Sequence, residues 1–111
     1  MTKRKTPAQT PAVTTAVPEP EHPIKIPRTF SLAGIHWRVE DVPGLSELGL
    51  CDWNSAVIRL RVGMQEQIRA DVFYHELIHA IMYATGLQEH PEREVDALGT
   101  LLHQFEQTKE Y

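Results

Sequence analysis

Cysteine is nearly absent from this sequence. Cys51 is the only one among 111 residues, so no disulfide bond can form within the chain. No apolar run approaches the roughly 20 residues that a membrane-spanning helix requires, and residues 1–29 lack the apolar segment of a secretory signal. The sequence therefore disfavours a disulfide-stabilised secreted domain and a membrane protein, and it predicts a location in the cytoplasm.

Positive charge is also scarce. Eleven Lys and Arg residues stand against fifteen Asp and Glu, for a net charge of −4. Residues 1–29 carry +3, so residues 30–111 carry −7. An acidic domain repels the phosphate backbone of nucleic acids, and the short cluster Lys3-Arg4-Lys5 fits a solvated tail better than a nucleic-acid-binding arm. We therefore do not expect nucleic acid as a partner.

The prolines divide the chain into two parts. Six of the eight lie within residues 1–29, in a stretch that has no hydrophobic period on which a buried face could form. This predicts a disordered leader over residues 1–29, rich in Pro and Thr, followed by one folded domain over residues 30–111.

The folded part reads as strands followed by helices. Apolar residues alternate in "IHWRVE" and "VIRLRV", and "ELGLCDW" is a weaker strand, which together predict a small antiparallel sheet of about three strands. A helix is predicted from about Gln65 to Tyr83 or Ala84, ending at Gly86. A second helix follows Pro91 and runs from Glu92 to about Gln107. The expected fold class is α+β.

The motif "HELIHA", residues 75–80, lies within the first of these helices. Successive residues of an α-helix are 100° apart, so His75 and His79 lie on one face while Glu76 is turned aside. Paired imidazoles suit Zn²⁺, and the adjacent carboxylate can act on a metal-bound water. Because the flanking residues are almost all apolar, the helix is expected to be buried, where unpaired polar groups are costly.

The second helix is the expected source of a third zinc ligand. Glu94 is predicted to face the core because it lies within about 80° of four apolar residues of that helix, namely Leu98, Leu101, Leu102 and Phe105. The opposite face carries Glu92, Asp96 and His103. Two alternatives remain open: Glu94 could form a salt bridge with Arg69 or Arg38, and His90, in the loop between the helices, could be the third ligand instead.

Two segments resemble a known family. "VFYHELIHAI" resembles the extended zincin signature, and "EREVDALGTLL" resembles the glutamate helix of the ImmA/IrrE-type metallopeptidases, minimal gluzincins common in phages and mobile elements. The resemblance covers about residues 56–106 and implies that His75, His79 and Glu94 bind zinc while Glu76 is the catalytic base. "LLHQF" departs from the usual Leu-Leu-Met-Pro ending, the interval between the motifs is short, and no helix-turn-helix or sensor domain is expected within residues 1–111.

The resemblance implies a zinc-dependent metallopeptidase with a minimal zincin fold and a cytoplasmic protein or peptide substrate, such as a regulator. By analogy with similar zincins, the substrate would bind as an extended strand along "AVIRLRV". Tyr83, about 40° around the helix from His79, is a candidate donor to the transition state. The alternative is a non-catalytic, zinc-stabilised, phage-type binding module. Glu76 favours catalysis, because a purely structural zinc site does not need a base beside its ligands.

Overall fold

A computed structural model describes residues 24–87 and 89–111 of the chain. Its elements, in chain order, are strands β1 (Thr29–Leu32), β2 (Ile35–Val42), β3 (Gly49–Asp52) and β4 (Val57–Arg61), and helices α1 (Glu66–Ala84) and α2 (Glu92–Thr108). The four strands form one sheet in the order β1-β2-β4-β3. The predicted class, α+β, is confirmed.

The leader predicted over residues 1–29 lies mostly outside the described residues, which begin at Ile24. Within the described part, Ile26 packs against the hydrophobic core, and β1 already begins at Thr29. The last residues of the predicted leader therefore belong to the folded domain.

The sheet has four strands and is mixed, so the prediction of about three antiparallel strands is wrong in number and in orientation. β1 and β3 run antiparallel to their neighbours, whereas β2 and β4 are parallel. The turn between β1 and β2 is Ala33-Gly34, both with positive φ (52° and 78°), as a tight two-residue hairpin with the right-handed twist requires. β1 was missed because four residues are too few to show a clear period.

β4 lies inside the sheet, between β2 and β3. Its residues Val57, Ile58 and Leu60 are fully buried. The expectation that "AVIRLRV" forms an exposed edge is therefore wrong, because the parallel pairing with β2 occupies one side of β4 and β3 occupies the other. β3 is an edge of the described sheet.

Aromatic side chains join the sheet to α1. Trp37, fully buried in β2, stacks on Phe30 with ring centroids 5.9 Å apart and lies 5.6 Å from Trp53. Phe30 in turn meets Phe73 of α1 edge to face, and Trp53 contacts Tyr83. The two tryptophans thus pack the sheet against the helix.

Both helices have nearly the predicted bounds. α1 ends just before Gly86, whose φ of 90° is the left-handed conformation that glycine adopts readily after a helix. α2 follows Pro91. Within residues 24–87 and 89–111, neither helix has the length and hydropathy needed to cross a membrane; the cytoplasmic location stays a prediction.

α2 packs closely on α1 at Gly99. A β carbon built on Gly99 would lie 3.1 Å from the Cα atom and 3.2 Å from the backbone nitrogen of His75. Val95 and His103, one turn before and after Gly99 on the same face, are buried with it. The backbone of α2 therefore approaches α1 directly at the first histidine of the motif.

This close approach gives a test of the helix packing. Alanine is normally preferred to glycine within a helix by about 1 kcal/mol. We nevertheless expect Gly99→Ala to lower the free energy of unfolding by about 1–2 kcal/mol, because the added methyl group pushes on the backbone of α1 rather than on a mobile side chain. Thermal unfolding followed by circular dichroism measures the change.

The matched control is Thr100→Ala, at an exposed position of the same helix, which should leave stability unchanged or raise it slightly. Equal stability of the Gly99 and Thr100 variants would contradict the packing described here.

Candidate metal centre

Three potential metal ligands meet where α1 faces the start of α2. The Nε2 atom of His75 lies 3.1 Å from Oε1 of Glu92, and the Nε2 atom of His79 lies 3.2 Å from Oε2 of the same carboxylate. Each of the three residues offers one ligand atom, and these three atoms lie within 4.8 Å of one another. Tetrahedral zinc with bonds of 2.0–2.1 Å separates its ligand atoms by about 3.3–3.4 Å. The donor types therefore suit zinc, and the ligand atoms lie within small side-chain movements of this spacing.

The other nitrogen of each imidazole has a hydrogen-bond partner. Nδ1 of His75 lies 2.7 Å from the carboxylate of Asp96, which can accept a hydrogen bond from it. Nδ1 of His79 lies 2.7 Å from Nε2 of His90, and Nδ1 of His90 lies 3.2 Å from the carbonyl oxygen of Leu87. Each contact orients the ring that forms it.

With a cation at the shared site, these contacts fit one set of tautomers. A carbonyl oxygen can only accept, so a neutral His90 would carry its proton on Nδ1 and accept on Nε2. His79 would then donate from Nδ1 and His75 would donate to Asp96, which would leave a lone pair on each Nε2 atom that faces Glu92. Such support from outside the ligand set is typical of metal-binding histidines. Because the Glu92 carboxylate can also only accept, either a cation or protons on the Nε2 atoms would complete these contacts.

The electrostatic environment of His79 favours its neutral form. Burial lowers the pKa of His79, and the nearby His75 and His90 lower it further, while Glu92 raises it. A neutral imidazole is the form that binds a metal ion.

Glu94 is not in this group. It is exposed, and so are three apolar residues on its face of α2, Leu98, Leu101 and Phe105. The prediction that Glu94 faces the core is therefore wrong. The packed face is the one with Val95, Gly99 and His103, and this orientation turns Glu92 and Asp96 toward His75.

The ion pairs considered for Glu94 are formed by other acids. Arg69 donates hydrogen bonds to both carboxylate oxygens of Asp41, and Arg38 donates one to Glu40. His90, the alternative ligand, approaches Nδ1 of His79, the nitrogen of His79 that is turned away from Glu92. His90 is outside the group formed by His75, His79 and Glu92.

Glu76 lies beside the ligand group but against the sheet. It is buried, and the β-carbon position of Gly49 in β3 is 3.4 Å from its Oε2 atom. Burial raises the pKa of Glu76 to about 7; His75 opposes this rise, while Glu92 and Glu47 add to it. The motif thus places a carboxylate between two histidines and the edge strand.

Tyr83 and Cys51 lie near the site, whereas His103 lies farther along α2. The Tyr83 ring lies 5.5 Å from the rings of Trp53 and His90, so it stands on the His90 side; its role as a donor stays a prediction. Burial raises the pKa of the Cys51 thiol to about 12, with Glu76 adding to the effect, so the thiol stays protonated and is a poor nucleophile. His103 is buried, with Nδ1 at the carboxylate of Asp71.

Comparison with known families, curated proteins and solved structures finds no match to this chain. What the fold and the site define is a small α+β domain in which two histidines of one helix and a glutamate of the next could hold a metal ion.

The effect of the His90 contact on zinc binding by His79 can be measured with a single substitution. We expect His90→Ala to weaken zinc binding by about tenfold, because an imidazole without its outer hydrogen bond is less well oriented and less basic. His36→Ala, at an exposed position of β2, is the matched histidine control. Zinc titration against a competing chelator measures both variants, and unchanged affinity in His90→Ala would contradict the proposed support.

Proposed function

We propose that this chain is a zinc-dependent metallopeptidase that hydrolyses peptide bonds of a protein or peptide substrate. The proposal is carried by one observation: a His-His-Glu donor set lies directly beside a buried carboxylate at the edge of a sheet. The resemblance of "VFYHELIHAI" to zincins supports it. The proposed ligand set differs from the sequence-based expectation in one residue, since Glu92 takes the place of Glu94.

In this proposal His75, His79 and Glu92 hold the metal. Three protein ligands leave one position of a tetrahedral ion open, as in catalytic rather than structural zinc sites. Zinc bound there would lower the pKa of a water molecule toward neutrality and polarise the substrate carbonyl. Asp96 and His90 keep the two imidazoles in the tautomer that binds it.

Glu76 is the proposed general base. It follows His75 directly, yet it lies about 100° around the helix, so its carboxylate stands beside the ligands without joining them. It would accept a proton from the water molecule that attacks the peptide carbonyl and would pass this proton to the leaving amine. Gly49 leaves room for this side chain, because a β carbon at that position would lie 3.1 Å from Cγ of Glu76.

The substrate would bind along β3, not along β4. β3 is the edge strand next to Glu76, and the neighbouring Leu48 and Leu50 are exposed. An extended peptide can add to such an edge through backbone hydrogen bonds, while pockets for alternate side chains supply specificity. This arrangement brings the peptide backbone to the carboxylate and the metal ligands.

The proposal is tested by incubating the zinc-loaded chain with denatured casein and a mixed peptide library and identifying products by mass spectrometry. We expect new peptide termini that disappear after chelation and return with one equivalent of zinc. Circular dichroism before and after chelation separates loss of the catalyst from loss of the fold. A folded, zinc-loaded chain that cleaves nothing would contradict the proposal and favour the non-catalytic binding module.

A further inference from the structure

The outer face of α2 is apolar and exposed. Leu98, Leu101 and Phe105 are 43%, 60% and 58% exposed, and their spacing of three and four residues places them in one stripe along the helix. Singly exposed leucines are common on protein surfaces, but three large side chains in one stripe form a continuous seam of the kind that pairs with another helix. We call these three residues the outer seam.

The outer seam continues toward a groove between the helices and β1. Leu102 of α2 lines that groove together with Leu77 and Ile81 of α1 and Leu32 of β1. The apolar surface available to a partner is therefore wider than three side chains.

Charged residues stand at the two ends of the outer seam. Glu94 lies one turn before Leu98 and is exposed. Lys109, the residue after the end of α2, is also exposed; its Nζ atom lies 6.0 Å from the centre of the Phe105 ring and 2.9 Å from the Glu106 carboxylate of its own chain. If two copies of α2 paired in parallel, Glu94 would meet Glu94 and Lys109 would meet Lys109. In an antiparallel pair, each glutamate instead meets a lysine. The charge pattern thus favours one orientation and is complementary to itself.

We propose that the outer seam is the interface of a symmetric homodimer in which α2 packs antiparallel on α2 of a second copy. With the twofold axis near Leu101, Leu98 lies beside Phe105 of the second copy, and Glu94 lies beside Lys109 of the second copy. Twofold symmetry makes each of these contacts occur twice and closes the assembly at two chains.

The dimer leaves the candidate metal centre open. Glu92 and Asp96 lie about 160–200° around α2 from Glu94, on the side that faces α1. Pairing of the outer seams therefore covers neither the metal ligands nor β3. The inference is independent of the proposed peptidase function, and each can fail without the other.

Sedimentation equilibrium of the full, zinc-loaded chain over about 5–200 µM tests the dimer, a range chosen because small interfaces give weak association. We expect the native chain to dimerise and Leu101→Glu to remain monomeric. Glu94→Lys and Lys109→Glu should each weaken dimerisation about tenfold at low salt, because two attractive contacts become repulsive. The double variant, Glu94→Lys with Lys109→Glu, should recover native affinity within about threefold.

Glu47→Lys, in the loop before β3, is the control for the same charge reversal away from α2 and should dimerise as the native chain does. Circular dichroism confirms that each variant is folded. A native chain that stays monomeric over the whole range overturns the proposal. The outer seam would then be covered by the chain's own N-terminal residues or by another protein. A dimer with no recovery in the double variant overturns the antiparallel arrangement.

Discussion

Glu92→Ala should lose zinc while Glu94→Ala keeps it. The carboxylate of Glu92 reaches both imidazoles of the motif, whereas Glu94 is exposed on another face of the same helix. Removing one of three protein ligands should weaken zinc binding on the order of a thousandfold. Metal content by mass spectrometry after dialysis, followed by competition with a chelator, measures the loss.

The comparison is well controlled because the two variants remove the same group from the same helix, two residues apart. Neither side chain is buried, so both variants should fold. Zinc lost from Glu94→Ala and retained by Glu92→Ala would mean that α2 presents its leucine face to α1, contrary to the structure. Zinc retained by both would remove α2 from the ligand set.

Glu76→Gln should retain zinc and lose cleavage. The substitution preserves the size of the buried side chain but replaces a group that accepts a proton with an amide that does not. General base catalysis contributes about 10²–10⁴-fold, so we expect a loss of cleavage rate on the order of a thousandfold. Zinc content and peptide cleavage are to be measured on the same preparation, with the peptides that the native chain cleaves.

Two results would reverse this assignment. Loss of zinc from Glu76→Gln would place Glu76 among the ligands, and native cleavage by the variant would assign the proton transfer elsewhere. Tyr83→Phe is a useful companion, since it removes only a hydroxyl group; a lower cleavage rate with unchanged zinc content would support the predicted contribution of Tyr83 to the transition state.

The helices and the histidine pair could be predicted because their signals are local. Helix bounds follow from Gly86 and Pro91, and the proximity of His75 and His79 follows from helical geometry alone. The sheet could not be predicted to the same extent. Alternation shows that β2 and β4 are strands, but not that they pair in parallel, because the pattern gives the faces of a strand and not its neighbours.

The buried face of α2 was mispredicted for a physical reason. Glu94 would face the core if the most apolar face of α2 were the buried one. In the structure the buried face has Gly99, which lets the backbones approach. A glycine in a helix interior costs stability, so it often marks a close contact. Gly99 was therefore the available signal that Glu92 and Asp96, rather than Glu94, face α1.

α2 packs mainly on α1, and the candidate ligands come from these two helices alone. Zinc would therefore link the two helices and would bind no residue of the sheet. A region whose contacts are confined mainly to one neighbour can open without global unfolding. Without the metal, α2 should separate from α1 at a lower free energy than the sheet unfolds, and its backbone amides should exchange with solvent first. The same opening would release Glu92 and Asp96 from the histidines, so loss of zinc and detachment of α2 would be one coupled event.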